Sequence, residues 1–306
     1  MSEPRNVAAS VHARLLRGAR ERGEDFNLTL KRYVAERFLF RLGESPRKEQ
    51  FVLKGAMLFA LWGGSFYRAT RDLDFTGYLE NDQDTITGAV REICVVPCPD
   101  DGLTFMPSTV RAEPIRDNSE YRGLRVTLRA MLGRARLDLQ IDVGFANAIH
   151  PPARWAEYPV LIGGPAPRVR AYPREATIAE KVHAMVIHGM ANSRMKDFYD
   201  VFVLARHFSF SGPTLSRAIA TTFAQRGTSA SEAQPAAFTA AFYADPQRAA
   251  EWTRYLMRDS LPGAPDDFGA VGEVIGGFLG PVYNTLASGA SFEQAWPPGG
   301  PWEATS

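Results

Sequence analysis

The chain has 306 residues, of which 45% are hydrophobic and 23% charged, a globular composition long enough for one large domain or two ordinary ones. No apolar run approaches the ~20 residues of a membrane helix, and the opening MSEPRNVAAS has no apolar core of the secretory kind. A cytoplasmic chain with no membrane partner is expected, its two cysteines, Cys94 and Cys98, reading as reduced thiols.

A net charge of +1 is close to neutral, but residues 1–48 hold eleven Lys or Arg against six Asp or Glu, a local +5. That excess suits either a solvated helical surface or a face for an acidic partner such as RNA.

In chain order, VHARLLRGARERG and LTLKRYVAERFLFRLG have helical spacing, with Gly23 and Gly43 as C-terminal stops. FVL (51–53) is a short strand, KGAMLFALWGG a compact helix, and DLDFTG a strand that breaks at Gly77. GLRVTLRAML and RLDLQIDVGF both alternate, and a turn near Gly133 makes them an antiparallel hairpin. Residues 148–175 are rich in proline and read as the crossing between domains. Helical patterns follow in EATIAEKVHAMVIHG, RMKDFYDVFVLARHF, PTLSRAIATTFAQRG, DPQRAAEWTRYLMRD and FGAVGEVIGGFLGPVYNTLASG, and the tail WPPGGPWEATS should be loose. The order predicts an α+β protein: N-terminal helices and a mixed sheet over 1–165, then a helical domain over 166–306.

On a strand, side chains two apart point the same way, so Asp72 and Asp74 of RATRDLDF share a face. Two adjacent carboxylates repel, and a divalent cation turns the conflict into a site. Oxygen ligands suit Mg²⁺, which keeps one or two carboxylates and substrate phosphates. A solvent-facing strand edge is the alternative. Asp142 lies on the polar face of the LQIDVGF strand and can serve as a third carboxylate, with Asp138 its rival. Lys54 and Gly55 open a helix whose N–H groups suit a phosphate; Gly64–Ser65 is a second glycine–serine pair, closer to Asp72. Arg68 and Arg71 suit phosphate oxygens or are surface arginines. Thr70, two before Asp72, points to the acids' side if the strand extends that far, where a phosphate would repel a triphosphate and mark a control point.

This plan resembles the nucleotidyltransferase superfamily, in which a glycine pair opens a helix and a DxD strand and a third acid follow. FVLKGAMLFALW…RATRDLDF, LQIDVGF, TIAEKVHAMV and RMKDFYDVFVLARHF together resemble, in order, the blocks of the AbiEii-type toxin family, which includes the MenT toxins. Ala56 departs from the pattern, standing where many superfamily members have Gly or Ser. The resemblance implies a nucleotidyltransferase-like fold and the toxin of a two-gene toxin–antitoxin system, with a cognate antitoxin as partner. It implies a Mg²⁺-dependent transferase using an NTP, with tRNA as the acceptor in characterised members. By motif position Asp72, Asp74, Lys181 and Asp197 inherit the catalytic roles. Asp200 is the alternative to Asp197, and a snorkelling surface lysine the alternative for Lys181. Lys54, Gly55, Ser65 and Arg68 would bind the nucleotide, and Asp72, Asp74 and Asp142 the metal. A phosphotransferase, an NTP-dependent protein modifier or a non-catalytic nucleotide-sensing module would leave similar marks.

Overall fold

The computed structural model describes all residues except 1–5, 64–67, 69, 71, 116–122, 146–147, 232, 259–260 and 306. It divides into a sheet unit (1–147 and 154–171) and a helical unit (148–153 and 172–306).

The sheet unit begins with two helices, α1 (Val7–Arg22) and α2 (Phe26–Glu44). Gly23 ends α1 in the left-handed conformation at φ 64°, as expected of a C-terminal glycine. Gly43 does not stop α2, which runs to Glu44; a Cβ there would meet the backbone carbonyl of Arg168, so the glycine serves close packing instead. Next come β1 (Phe51–Lys54), the short helix α3 (Leu58–Gly63) after one 3₁₀ turn, and β2 (Asp72–Gly77). Then follow α4 (Gln83–Cys94), β3 (Leu103–Pro114), β4 (Leu124–Leu132) and β5 (Ala135–Phe145). Sequence reading passed over α4 and β3. Ile86, Ala89, Val90 and Ile93 give α4 its buried stripe and Asp82 caps it, while Pro107 and Pro114 hid the β3 alternation.

The proline-rich stretch is not a bare crossing. It carries β6 (Arg154–Glu157) and β7 (Arg168–Ala171), which pair with each other, and β7 pairs parallel with β1. The sheet is therefore seven-stranded and mixed, in the order β3-β4-β5-β2-β1-β7-β6, and its unit runs to Ala171. Leu53, Leu73, Phe75, Val126, Leu128, Ile141 and Val143 are buried on one sheet face, where α2 packs on β5 and β7 and α4 on β3. Each such side chain contributes about 1.5–3 kcal/mol.

The local +5 is partly spent inside this unit. Arg32, Arg37 and Arg41 of α2 are buried, pairing with Glu24, Glu36 and Asp101 at 3.0, 3.1 and 2.7 Å. Formal charge had counted them as surface.

The helical unit holds α5 (Arg174–His188), α6 (Met195–His207), β8 (Phe210–Ser211) and α7 (Gly212–Gln225). It continues with α8 (Ala240–Ala244), α9 (Pro246–Arg258), α10 (Phe268–Ala287), β9 (Gln294–Trp296) and β10 (Glu303–Ala304). The tail is ordered, not loose. Strands β8, β9 and β10 form a small sheet, Trp296 donates to the Ala205 carbonyl at 2.8 Å, and Trp302 donates to the Phe278 carbonyl at 2.8 Å and stacks on the Phe278 ring. Two tryptophans fix a segment whose proline and glycine content suggested slack.

Candidate active site

The sheet register sets the polar face. Lys54 stands opposite Asp74, Asp74 beside Asp142, Asp142 opposite Arg125, and Arg125 opposite Glu113. Five strands thus present one charged row, with two acids adjacent at its centre. Asp72 shares the face two residues before Asp74 and aligns with Gln140. Asp138 lies further along β5, paired at 3.2 Å with Arg129 and 75% exposed. Of the two rivals for third carboxylate, Asp142 is the one in register with the Asp72–Asp74 strand.

Gly55 lies against these acids. Its φ is +72°, and a Cβ would strike the Asp74 carboxylate. Glycine is required both for the backbone conformation and for the approach. Only six α-helical residues follow the 3₁₀ turn at Gly55, so the helix dipole there is short. The Lys54 ammonium reaches across the face to within 3.6 Å of where a Gly144 Cβ would stand.

Arg125 grips Asp142. Its Nε donates to Oδ1 at 2.9 Å and its Nη2 to Oδ2 at 2.8 Å, while Gln140 donates to Oδ1 at 3.2 Å. The hydrogen bond to Asp142 pushes the Arg125 guanidinium further up, and the charge of Asp72 adds to the effect. Arg125 was not among the residues singled out from the sequence, although hairpin register from the Gly133 turn places it opposite Asp142.

The donor set can be tested against Mg²⁺. Among the described residues no group of three or more His, Cys, Asp or Glu side chains is gathered closely enough to hold a metal ion, and Asp142 is bound by Arg125. Asp72 and Asp74 share one face of β2, and two carboxylates suit a cation that binds through one or two carboxylates, waters and substrate phosphates. The residues fit such an ion.

Within the helical unit, Lys181 on α5 donates to Asp197 and to Asp200 on α6, each at 2.7 Å. Arg194 donates to the other Asp197 oxygen at 2.7 Å. Asp197 and Asp200 are both buried, and Lys181 is 13% exposed. Burial pushes the Asp197 carboxyl up, but Lys181 and Arg194 more than reverse this and hold it well below the usual carboxylate range. The sequence left Asp197 and Asp200 as alternatives; here both bond the same lysine. Arg194, missed from sequence, lies three residues before Asp197 across the first turn of α6.

On α5, His183 accepts at Nδ1 from the Arg226 guanidinium at 2.9 Å, and its Nε2 lies 2.9 Å from the Thr228 hydroxyl. Arg68 is half-buried. Ser65 and Arg71 lie outside the described residues. Thr70 precedes β2, which begins at Asp72, and its hydroxyl donates to the Asp72 carbonyl at 3.3 Å. Thr70 itself lies outside the strand.

The mixed sheet carries an acid pair on one strand and a third acid on its neighbour. The family model described as "Nucleotidyl transferase AbiEii toxin, Type IV TA system" matches residues 37–274. The chain belongs to the AbiEii nucleotidyltransferase toxin family. Among solved structures it is similar to JHP933 from Helicobacter pylori, with 16% identity, 86% of this chain and 94% of that one covered, and a TM-score of 0.50. It is also similar to MenT4, a nucleotidyltransferase toxin from Mycobacterium tuberculosis, with 18% identity, 92% and 99% covered, and a TM-score of 0.49. A comparison with curated proteins gave no match.

Proposed function

We propose that this toxin transfers a nucleotide from an NTP to RNA, with the acceptor end of tRNA as the site of addition and the cytoplasm as its place of action. The observation that carries the reading is the placement of Asp72 and Asp74 on one strand face, with Asp142 in register beside Asp74 and the Gly55 backbone against the Asp74 carboxylate.

In this reading an acceptor hydroxyl oxygen attacks the α-phosphorus of the NTP and its proton is lost to water. The bond from the α-phosphorus to the bridging oxygen breaks, and pyrophosphate leaves. Asp72 and Asp74 would hold Mg²⁺, which when bound offsets triphosphate charge and makes the attacking hydroxyl more acidic. Gly55 keeps the Asp74 carboxylate in place by leaving room for it. Lys54 and Arg68 supply positive charge for the phosphates, and Ser65 is assigned to the nucleotide on motif position alone. Lys181 and Asp197 take the roles the family blocks imply, Lys181 steering the triphosphate and Asp197 orienting Lys181. The Lys181–Asp197 bond at 2.7 Å supports the second of these. An antitoxin partner follows from the toxin–antitoxin description of the family.

The test incubates the protein with total RNA, Mg²⁺ and each labelled NTP in turn. Label in RNA together with pyrophosphate release is expected, and both should vanish with Asp74→Ala. Release of ADP or GDP with label in protein would overturn the reading in favour of a phosphotransferase.

A further inference from the structure

Arg125 has no part in the family blocks, yet it binds one of the acids of the charged row. Both Asp142 oxygens are taken by the two-pronged guanidinium, at 2.9 and 2.8 Å, and Gln140 adds a third donor at 3.2 Å. The fork joins residues directly opposed across β4 and β5, so the pair forms without bending either strand. Asp142 in turn stands beside Asp74. A carboxylate has about four lone-pair positions, and three of those on Asp142 are taken. A cation at Asp72 and Asp74 therefore competes with Arg125 for Asp142. Arg125 is able to let go: its side chain is 38% exposed, its stem is long, and its planar fork fits phosphate oxygens as well as it fits carboxylate.

We propose that Arg125 is a positioning residue that locks Asp142 away from the cation site in the nucleotide-free protein and releases it when a triphosphate offers phosphate oxygens in exchange. The inference rests on the cation site proposed above. Its consequence is that the free toxin presents a two-carboxylate site of low cation affinity, and the third carboxylate joins only once NTP is present.

Mn²⁺ binding to the full nucleotide-free chain, read from the free-ion electron paramagnetic resonance signal, tests this. Arg125→Met should raise Mn²⁺ affinity on the order of tenfold, the scale on which outer-shell partners act. Arg125→Lys should raise it less, because an ammonium holds Asp142 at one point rather than two. The gain should vanish in Arg125→Met/Asp142→Asn. Unchanged affinity in folded Arg125→Met and Arg125→Lys overturns the proposal. So does a gain that survives Asp142→Asn, since removal of a positive charge would then explain it. Asp72→Asn separates the two readings. If it abolishes Mn²⁺ binding while Arg125→Met changes nothing, the cation site stands and the lock falls. If Mn²⁺ binding ignores Asp72, both fall.

Discussion

In the sheet unit Asp74 and Asp142 stand side by side on neighbouring strands, with Lys54 and Arg125 flanking them in the row. In the helical unit Lys181 sits between Asp197 and Asp200, and Arg194 closes the far side of Asp197. The first arrangement puts like charges together on a half-exposed face; side-chain exposure is 19% for Asp142 and 38% for Arg125. The second alternates signs and buries them, at 5% for Asp197 and 1% for Asp200. Adjacent acids near solvent cost folding little and leave affinity for a cation in reserve. Two acids sharing a lysine in the interior tie their helices together, because removing the lysine takes a cation from both buried carboxylates. The same residue types thus lie side by side on a sheet face in one unit and interleave between helices in the other, and stability measured beside activity separates what each arrangement contributes.

Lys181→Ala should give the largest loss of stability. It leaves Asp197 and Asp200 without their shared cation, at a cost of about 3–5 kcal/mol, visible as a lowered midpoint in urea unfolding. Lys181→Arg should not restore nucleotide use, since a planar fork does not replace a compact ammonium between two carboxylates. A wild-type midpoint for Lys181→Ala would break the contrast by making the helical cluster as dispensable to the fold as the sheet row.

Asp72→Ala is the counterpart. Nucleotide transfer should fall roughly 100-fold to 1000-fold, the scale of a lost charge-stabilising group, while the unfolding midpoint holds or rises as repulsion is relieved. A folded Asp72→Ala protein with full activity would remove the sheet face from the chemistry.

Two glycines sharpen the comparison inside the sheet unit. Gly55→Ala must carry a side chain at φ +72° and push on the Asp74 carboxylate, so a loss of about 1–3 kcal/mol in stability should come with a loss of activity at saturating NTP. Gly43→Ala meets the Arg168 backbone instead and should lower stability while sparing turnover in the fraction that remains folded. Equal effects of the two on turnover would dissociate Gly55 from the site.

The smallest effect is a pair of opposite pH dependences. Burial of Glu36 in the sheet unit raises its carboxyl from 4.5 to about 7. The folded state therefore holds that proton more tightly than the unfolded one, and this contribution is present below about 4.5 and is lost as pH rises through 7. Burial of His183 in the helical unit, with Arg226 alongside, lowers its ring from 6.5 to about 4. Its contribution is present above 6.5 and is lost as pH falls towards 4. Denaturation across pH 4–7 should show Glu36→Gln removing a decline towards neutral pH and His183→Gln removing a decline towards acid. If neither substitution alters the slope, these groups are not what couples the fold to protons.

The acid pair was legible because strand alternation is local: DLDF dictates a shared face for Asp72 and Asp74 wherever the strand lies. The Lys181 and Asp197 positions were legible only through the resemblance to the family blocks, since spacing alone left a snorkelling surface lysine open for Lys181. The partner's full identity was not, because Arg194 and Asp200 both qualify by spacing and only packing brings them to the same cluster. The 1–48 charge excess could not be apportioned from sequence, because formal charge takes no account of burial: Arg32 and Arg37 pair inside the protein with Glu24 and Glu36 of the same stretch, and Arg41 with Asp101 beyond it. The tail misled because proline and glycine speak for the backbone alone, while Trp296 and Trp302 hold it through contacts with α6 and α10.

The sequence by itself determined which residues lie on which face, where most helices run, and which family blocks the chain carries, because these depend on period and order along the chain. Only the tertiary structure decided that β7 joins β1 and so completes the sheet, that Asp142 rather than Asp138 lies beside Asp74, and that Arg125 holds Asp142 at both oxygens. Those facts depend on which strands become neighbours and in what register. Register is set by the burial of whole faces summed over many residues, not by any short stretch of the chain.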